Sequence, residues 1–312
     1  MAPRATVVDV TEPLHPVRRD LHPIAAWLSL QGQTADECRD VAHRAEALGY
    51  GAIWIPETPT SREVFTQASL LLSATESLTV GTGIANIWAR DATSTAAARV
   101  TLDDAYPGRF VLGLGTSHKS RVADRGHDYA KPLAAMREYL VSFRAAGPFA
   151  PLAAIPGPVV LAALGPRMQE LARDAADGVH SFFVTPAHTT AVRKRIGEGR
   201  LLIPQQAFVV EGPDNDAMAT ARTFVASRLA LPNYVNHLLA LGFDANDLRD
   251  GGTPDLVKSL VAVGSVDEVA TRLRAHLDAG ASQVAAHPLV DDDGGAAQLA
   301  ALAPALAGLL TP

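Results

Sequence analysis

Cysteine occurs once, at Cys38, so no disulfide can close within the chain and the redox compartment stays open on that ground. Cys38 falls in a helical pattern and reads as a buried, inert thiol. Lysine is also scarce: Lys119, Lys131, Lys194 and Lys258 are the whole set, and arginine supplies the remaining positive charge. Acidic side chains outnumber basic ones 33 to 27, for a formal net charge of −6. That balance argues against a nucleic-acid or anionic-membrane surface, so neither partner is expected. An anionic ligand would have to be held by local devices, such as helix N-termini and single arginines. No apolar run reaches the ~18 residues that a membrane helix needs. The opening stretch MAPRATVVDVTEPLHPVRRD has no apolar h-region, so the expectation is no secretory signal and a cytoplasmic location.

Several catalytic signatures are missing as well. None of the ten histidines forms a His-x-His or HExxH pair, and the first expected strand ends in Ser29, Leu30, Gln31 and Gly32. Metal-assisted hydrolysis in a barrel needs clustered histidines there, so no metal is expected. No GxSxG elbow marks a serine nucleophile. No GxGxxG with a following acidic residue comes after the first strand, which removes a Rossmann nucleotide site. Only Glu57 and Glu211 lie at expected strand ends, a poor basis for glycoside hydrolysis.

What is present is alternation. Short apolar runs at 24–30, 52–55, 78–82, 109–114, 159–163, 178–184, 203–210 and 283–286 read as strands. Helical patterns at 34–48, 63–74, 93–106, 132–146, 166–176, 186–197, 214–229 and 265–279 fall between and after them, with Asp214 as a cap. Brief apolar strands suit a parallel sheet buried on both faces. Strict alternation at 312 residues predicts an α/β protein, one (β/α)8 TIM-barrel domain over 1–312. Residues 1–21 read as an irregular arm and 116–129 as a polar loop. Residues 231–263 are too long for a normal connection and read as an insertion before the last βα unit, either a surface excursion or a lid.

A barrel places its active site where strands end and βα loops begin. Residues 78–121 hold one complete β–loop–α–β unit, and Gly81, Gly83, Gly113 and Gly115 should clear side chains from its rim for a flat ligand. Candidates at the rim are Glu57, Asn86, Trp88, His118, Arg167, Thr185, Glu211 and His287. So few charges suit an uncharged conjugated ring. Gly165, Pro166, Arg167 and Met168 follow a strand and open a helix, a place where N–H groups and an arginine can meet phosphate. Val184 and Thr185 would flank it. Trp88 is a candidate pocket wall, with Phe182 and Phe183 nearby, whereas Trp27 and Trp54 lie within strands and read as core. His118 has the side chain best suited to moving a proton near neutral pH, and His287 is its competitor.

The segment GTGIANIWARDATSTAAARVTLDDAYPGRFVLGLGTS resembles the luciferase-like monooxygenase superfamily, in particular its branch that uses the deazaflavin coenzyme F420. The resemblance implies a backbone bulge at Gly83 and Ile84, often a non-prolyl cis peptide, that props the rear face of the cofactor ring. It implies Asn86 beside the ring heteroatoms, Gly115 and Thr116 among the cofactor-binding residues, and cofactor phosphate near Gly165–Met168. The family pattern often has a glutamate acid where His118 stands. Its Asp/Glu-His pair is only half kept, with Glu57 followed by Thr58. The implied activity is hydride transfer between coenzyme F420 and a small organic substrate, with His118 and Glu57 as the acid–base candidates and a homodimer as the expected assembly. Alternatives are an FMN-dependent monooxygenase on the same scaffold and a flavin-binding barrel without turnover.

Overall fold

The computed structural model describes residues 21–147, 149, 156–213, 215–290 and 292–310. The expected N-terminal arm, apart from Leu21, and the expected cap Asp214 lie outside them.

The elements run in this order: β1 (Ile24–Trp27), α1 (Ala35–Ala47), β2 (Ala52–Ile55), α2 (Val64–Ala74), β3 (Thr79–Thr82), β4 (Ala85–Asn86) and α3 (Ala92–Ala105). Next come β5 (Phe110–Gly115), α4 (Lys119–Ala123), α5 (Pro132–Ala145), β6 (Val159–Ala162), α6 (Pro166–Ala175), β7 (Gly178–Ser181) and α7 (Pro186–Ile196). The chain then forms β8 (Leu201–Val210), α8 (Ala217–Leu229), α9 (Pro232–Ala240), α10 (Pro254–Leu260), β9 (Val261–Gly264), α11 (Val266–Asp278), β10 (Val284–Pro288) and α12 (Ala296–Leu302).

Parallel pairing runs β1-β2-β3-β5-β6-β7-β8. β10 closes the ring: Val284 sits opposite Ile24 on one side and Ala286 opposite Gln206 on the other. The result is a closed eight-stranded parallel barrel wrapped by helices, the expected (β/α)8 architecture. Two short strands lie outside the ring. β4 pairs with the end of β5, and β9 pairs with the last four residues of β8.

Period-two alternation sorts the strand side chains. Ala25, Trp27, Ala52, Trp54, Val111, Val160, Ile203 and Ala285 fill the lumen. Ile24, Ala26, Ile53, Ile55, Phe110, Leu112, Val159 and Leu161 face the helices. Each strand therefore serves two cores, which explains why the runs are apolar throughout. Trp27 and Trp54 are core, as expected. Trp54 donates from Nε1 to Gln283 Oε1 at 2.8 Å and stacks on His180 with ring centroids 4.9 Å apart.

The rim glycines behave differently from the expectation. A Cβ on Gly81 would lie 2.7 Å from the Trp54 ring, and one on Gly113 would lie 2.0 Å from the Thr82 carbonyl oxygen. A Cβ on Gly115 would strike the Ile84 side chain at 2.5 Å. Their missing side chains admit other parts of the barrel. The peptide between Gly83 and Ile84 is cis, the geometry the resemblance implies.

The polar stretch after β5 contains the short helix α4 rather than loop throughout. The stretch 231–263 is ordered into α9, a 3₁₀ turn at Arg249–Gly251, α10 and most of β9. With α8 it builds a second apolar cluster of Phe183, Phe224, Val225, Tyr234, Leu238, Leu256 and Leu260. The run LVAVG signals β9, but it is too brief to separate from a helix end by periodicity.

Candidate active site

Glu57 lies just beyond β2 and is held from two sides. Its Oε2 accepts the Asn86 backbone N–H at 2.7 Å and Arg90 Nη1 at 3.0 Å. Arg90 Nη2 also pairs with Glu57 Oε1, and reaches Glu63 Oε1 at 2.9 Å. Only 5% of the Glu57 side chain is exposed. A buried carboxylate needs a cation and hydrogen-bond donors, and both are supplied. The arrangement fixes the β4 turn, since the same residue grips Asn86 and Arg90.

Asn86 is buried in β4, and its Oδ1 accepts the Trp88 N–H at 3.1 Å. That leaves the side-chain NH₂ as its free donor. Trp88 is half-buried and donates from Nε1 to the Thr116 carbonyl at 3.0 Å. The indole is thereby pinned across from the end of β5. Thr116 Oγ1 lies 3.4 Å from the Tyr129 hydroxyl.

His118 is the N-cap residue of α4. Its Nδ1 lies 2.9 Å from Asn233 Oδ1, on α9. Donation from Nδ1 to that oxygen leaves Nε2 as a lone-pair nitrogen. Its ring centroid is 5.3 Å from that of Tyr234. Burial, opposed by the Asn233 hydrogen bond, holds His118 below the ordinary imidazole range.

His287 is more deeply placed, near the end of β10. Gln205 Nε2 donates to its Nδ1 at 2.7 Å, so its proton sits on Nε2. Its ring centroid is 4.1 Å from that of Trp27. Burial pushes its pKa well below the ordinary value and keeps it neutral. It suits a hydrogen-bond donor better than a proton shuttle.

At the ends of β6 and β7, two helices present their N-termini to the same rim. α6 has Gly165 at its cap and Pro166 at its first position. α7 has Thr185 at its cap, with Oγ1 accepting the His188 N–H at 3.3 Å, and Pro186 at its first position. Proline suits a first turn because its missing N–H has no partner there. A Cβ on Gly165 would meet nothing within 4 Å, so open space lies against this backbone. Arg167 is exposed, and Met168 packs partly into the outer core. Val184 is buried behind Thr185. Glu211 is exposed and its backbone N–H donates to the Gly264 carbonyl at the end of β9.

Sequence reasoning missed one wall of the cleft. It comes from α8 and α9: Phe224, Arg228, Asn233 and Tyr234. Phe182 bridges the walls, with ring centroids 5.6 Å from Trp27, 6.2 Å from Tyr234 and 6.3 Å from Phe224. The available signal was Arg228 in an otherwise apolar helix end. Only the chain's return over the mouth gives that signal a place. Among the described residues, no group of three or more His, Cys, Asp or Glu is arranged to hold a metal ion. No described helix is long and apolar enough to cross a membrane.

The architecture is that of a barrel enzyme scaffold with a cluster of aromatic side chains at the C-terminal ends of its strands. The chain belongs to the luciferase-like monooxygenase family, whose sequence model matches residues 20–283. It is 25% identical over 298 residues to a 5,10-methylenetetrahydromethanopterin reductase of Methanolobus tindarius, covering 81% of this chain and 91% of that one. It is 28% identical over 293 residues to the reductase of the same name from Archaeoglobus fulgidus, covering 80% and 88%. Among solved structures, an F420-dependent secondary alcohol dehydrogenase in complex with an F420–acetone adduct superposes with a TM-score of 0.72 at 17% identity. That alignment covers 92% of this chain and 99% of the other, and it shows a shared fold.

Proposed function

We propose that this chain is an oxidoreductase that uses the deazaflavin coenzyme F420 to exchange a hydride with a small organic substrate. The observation that carries the reading is the open backbone at Gly165, at the head of α6 and on the rim of an aromatic cleft. A helix N-terminus offers N–H groups and a positive dipole end to phosphate. Arg167 is exposed beside it, and α7 begins on the neighbouring strand end. The cleft is apolar where a conjugated ring would lie, with the Asn86 amide and Trp88 at one side. The reductases and the dehydrogenase named above support the choice of cofactor.

Coenzyme F420, when bound, supplies a hydride donor or acceptor at C5 of its ring. The chain's own residues bind, orient and exclude water. Gly165, Pro166, Arg167, Met168, Val184 and Thr185 would hold the phosphate end. Gly83, Ile84, Asn86, Gly115 and Thr116 would hold its ring. His118, with its free Nε2, moves the accompanying proton. Glu57 positions Asn86 and Arg90. Trp88 and His287 bound the substrate. Residues 231–263 serve as a lid over this single barrel domain, and the assembly is a homodimer.

The test is a titration of the purified protein with F420 and with FMN, each oxidised and reduced. Tighter binding of F420 than of FMN is expected. Equal or tighter FMN binding would replace the reading with a flavin monooxygenase.

A further inference from the structure

Arg228 stands at the end of α8 with its guanidinium carbon 3.8 Å from the Phe224 ring centroid and 5.8 Å from that of Phe182. Its Nη1 donates to Ser227 Oγ at 2.6 Å. No hydrogen bond among the described residues uses its Nε or Nη2, and neither atom is among the fully buried unpaired ones, so both keep accessible surface for a further partner. Among the described residues, the salt bridges do not include Arg228, Arg121 or His118. Arg121 lies on α4, across the mouth, close enough that its charge acts on both Arg228 and Tyr234.

This is an unusual use of arginine. A guanidinium packed between aromatic faces has given up much of its water, and such a charge is ordinarily paired with a carboxylate. Burial pulls the Arg228 pKa down to about 10, with Arg121 adding to the fall. The missing counter-charge is therefore best supplied by a ligand. The donor set narrows its chemistry. Its one free edge, Nε with Nη2, matches the two oxygens of a carboxylate or a phosphate bidentately. The fold offers phosphate a separate place at the α6 N-terminus by Gly165, which leaves a carboxylate as the anion for Arg228. The adjoining faces of Phe182, Phe224 and Tyr234 suit an aromatic or conjugated body attached to the carboxylate.

We propose that Arg228 is a specificity-determining residue that receives the carboxylate of an aromatic carboxylic acid, with Phe182, Phe224 and Tyr234 walling its apolar body. Calling that acid the substrate rests on the oxidoreductase reading. The binding site itself does not, and its test needs no cofactor.

The probes are 2-naphthoate, its neutral isostere 2-naphthamide and inorganic phosphate, titrated calorimetrically into wild type and Arg228→Met. Methionine keeps an apolar stem against Phe224. Wild type should bind naphthoate at least tenfold tighter than naphthamide, the scale of a charge-assisted hydrogen bond. Arg228→Met should erase that preference while leaving naphthamide affinity within twofold. Equal binding of the two probes to wild type overturns the proposal, as does a preference that survives in Arg228→Met. Phosphate that competes with naphthoate at similar affinity also overturns it, because the site would then be a general anion hole. If Arg228→Met fails to fold, Arg228→Lys is used. It should retain the preference only in part, since an ammonium cannot form the planar fork. A parallel F420 titration separates the two readings: an Arg228→Met loss in F420 affinity as large as that for naphthoate would assign Arg228 to the cofactor instead.

Discussion

His118 and Asn233 stand 115 positions apart, and their side chains meet at 2.9 Å, Nδ1 to Oδ1. The contact ties the rim of β5 to α9, the first helix of the inserted stretch. A barrel strand end and an insertion thus share one hydrogen bond, and the ring nitrogen facing away from it is left free.

Asn233→Ala should lower the His118 pKa further, because the bond it removes favours the charged ring and burial already opposes it. An NMR titration of the His118 ring in both proteins measures this. A wild-type value at or above the free-histidine value of about 6.5 would contradict the burial argument. The variant should also exchange the α9 amides faster, since the tether costs roughly 0.5–1.5 kcal/mol to lose.

His118→Ala should reduce kcat by tenfold or more, on the ~10²–10⁴-fold scale of a general acid or base, with cofactor affinity little changed. His118→Gln donates a hydrogen bond but does not titrate. It should therefore keep the hydrogen bond to Asn233 but not the pH dependence. A pH–rate profile identical in wild type and His118→Ala moves the proton to another group.

Arg167→Ala should weaken F420 binding by about 1–3 kcal/mol without unfolding the protein. Gly165→Ala tests the same cradle from the backbone side. The cap has φ −87°, which alanine tolerates, and its Cβ meets no protein atom within 4 Å. Stability should change by less than about 1 kcal/mol, while F420 affinity falls. Unchanged affinity in both variants would put the phosphate elsewhere.

His188 and His237 pack edge to face, with ring centroids 4.8 Å apart, and burial lowers each pKa to about 4. The unfolded chain takes up these protons near pH 6.5, before the folded chain does. Stability is therefore complete above pH 6.5 and is lost as pH falls towards about 4. Each group adds up to about 1.4 kcal/mol per pH unit inside that window. His237→Gln should flatten the fall in urea midpoint between pH 7 and pH 5. An equal fall in wild type and variant would show that other groups dominate acid sensitivity.

Gly113→Ala should destabilise by about 1–3 kcal/mol or more, since its Cβ would lie 2.0 Å from the Thr82 carbonyl oxygen. Thermal unfolding measures this directly. A neutral result would mean that β3 and β5 can part at little cost.

The alternation of short apolar runs with capped helices was enough to determine the barrel. Period-two burial on both faces and local caps such as Thr34, Asp91, Thr185 and Ser265 act within a few residues, and those signals are written along the chain. The helix head at Gly165 was legible for the same reason. The glycines at 81, 113 and 115 were misjudged because their purpose lies across the barrel, in Trp54, Thr82 and Ile84. That Glu57 holds a turn depends on Arg90, 33 residues away. The mouth itself was decided by tertiary structure alone. Ser227 and Phe224 adjoin Arg228 on α8 itself, but Phe182 and Tyr234 reach it only once α8 and α9 fold back over the strand ends. Contacts of that range follow from packing geometry, to which the periodicity of a single segment is blind.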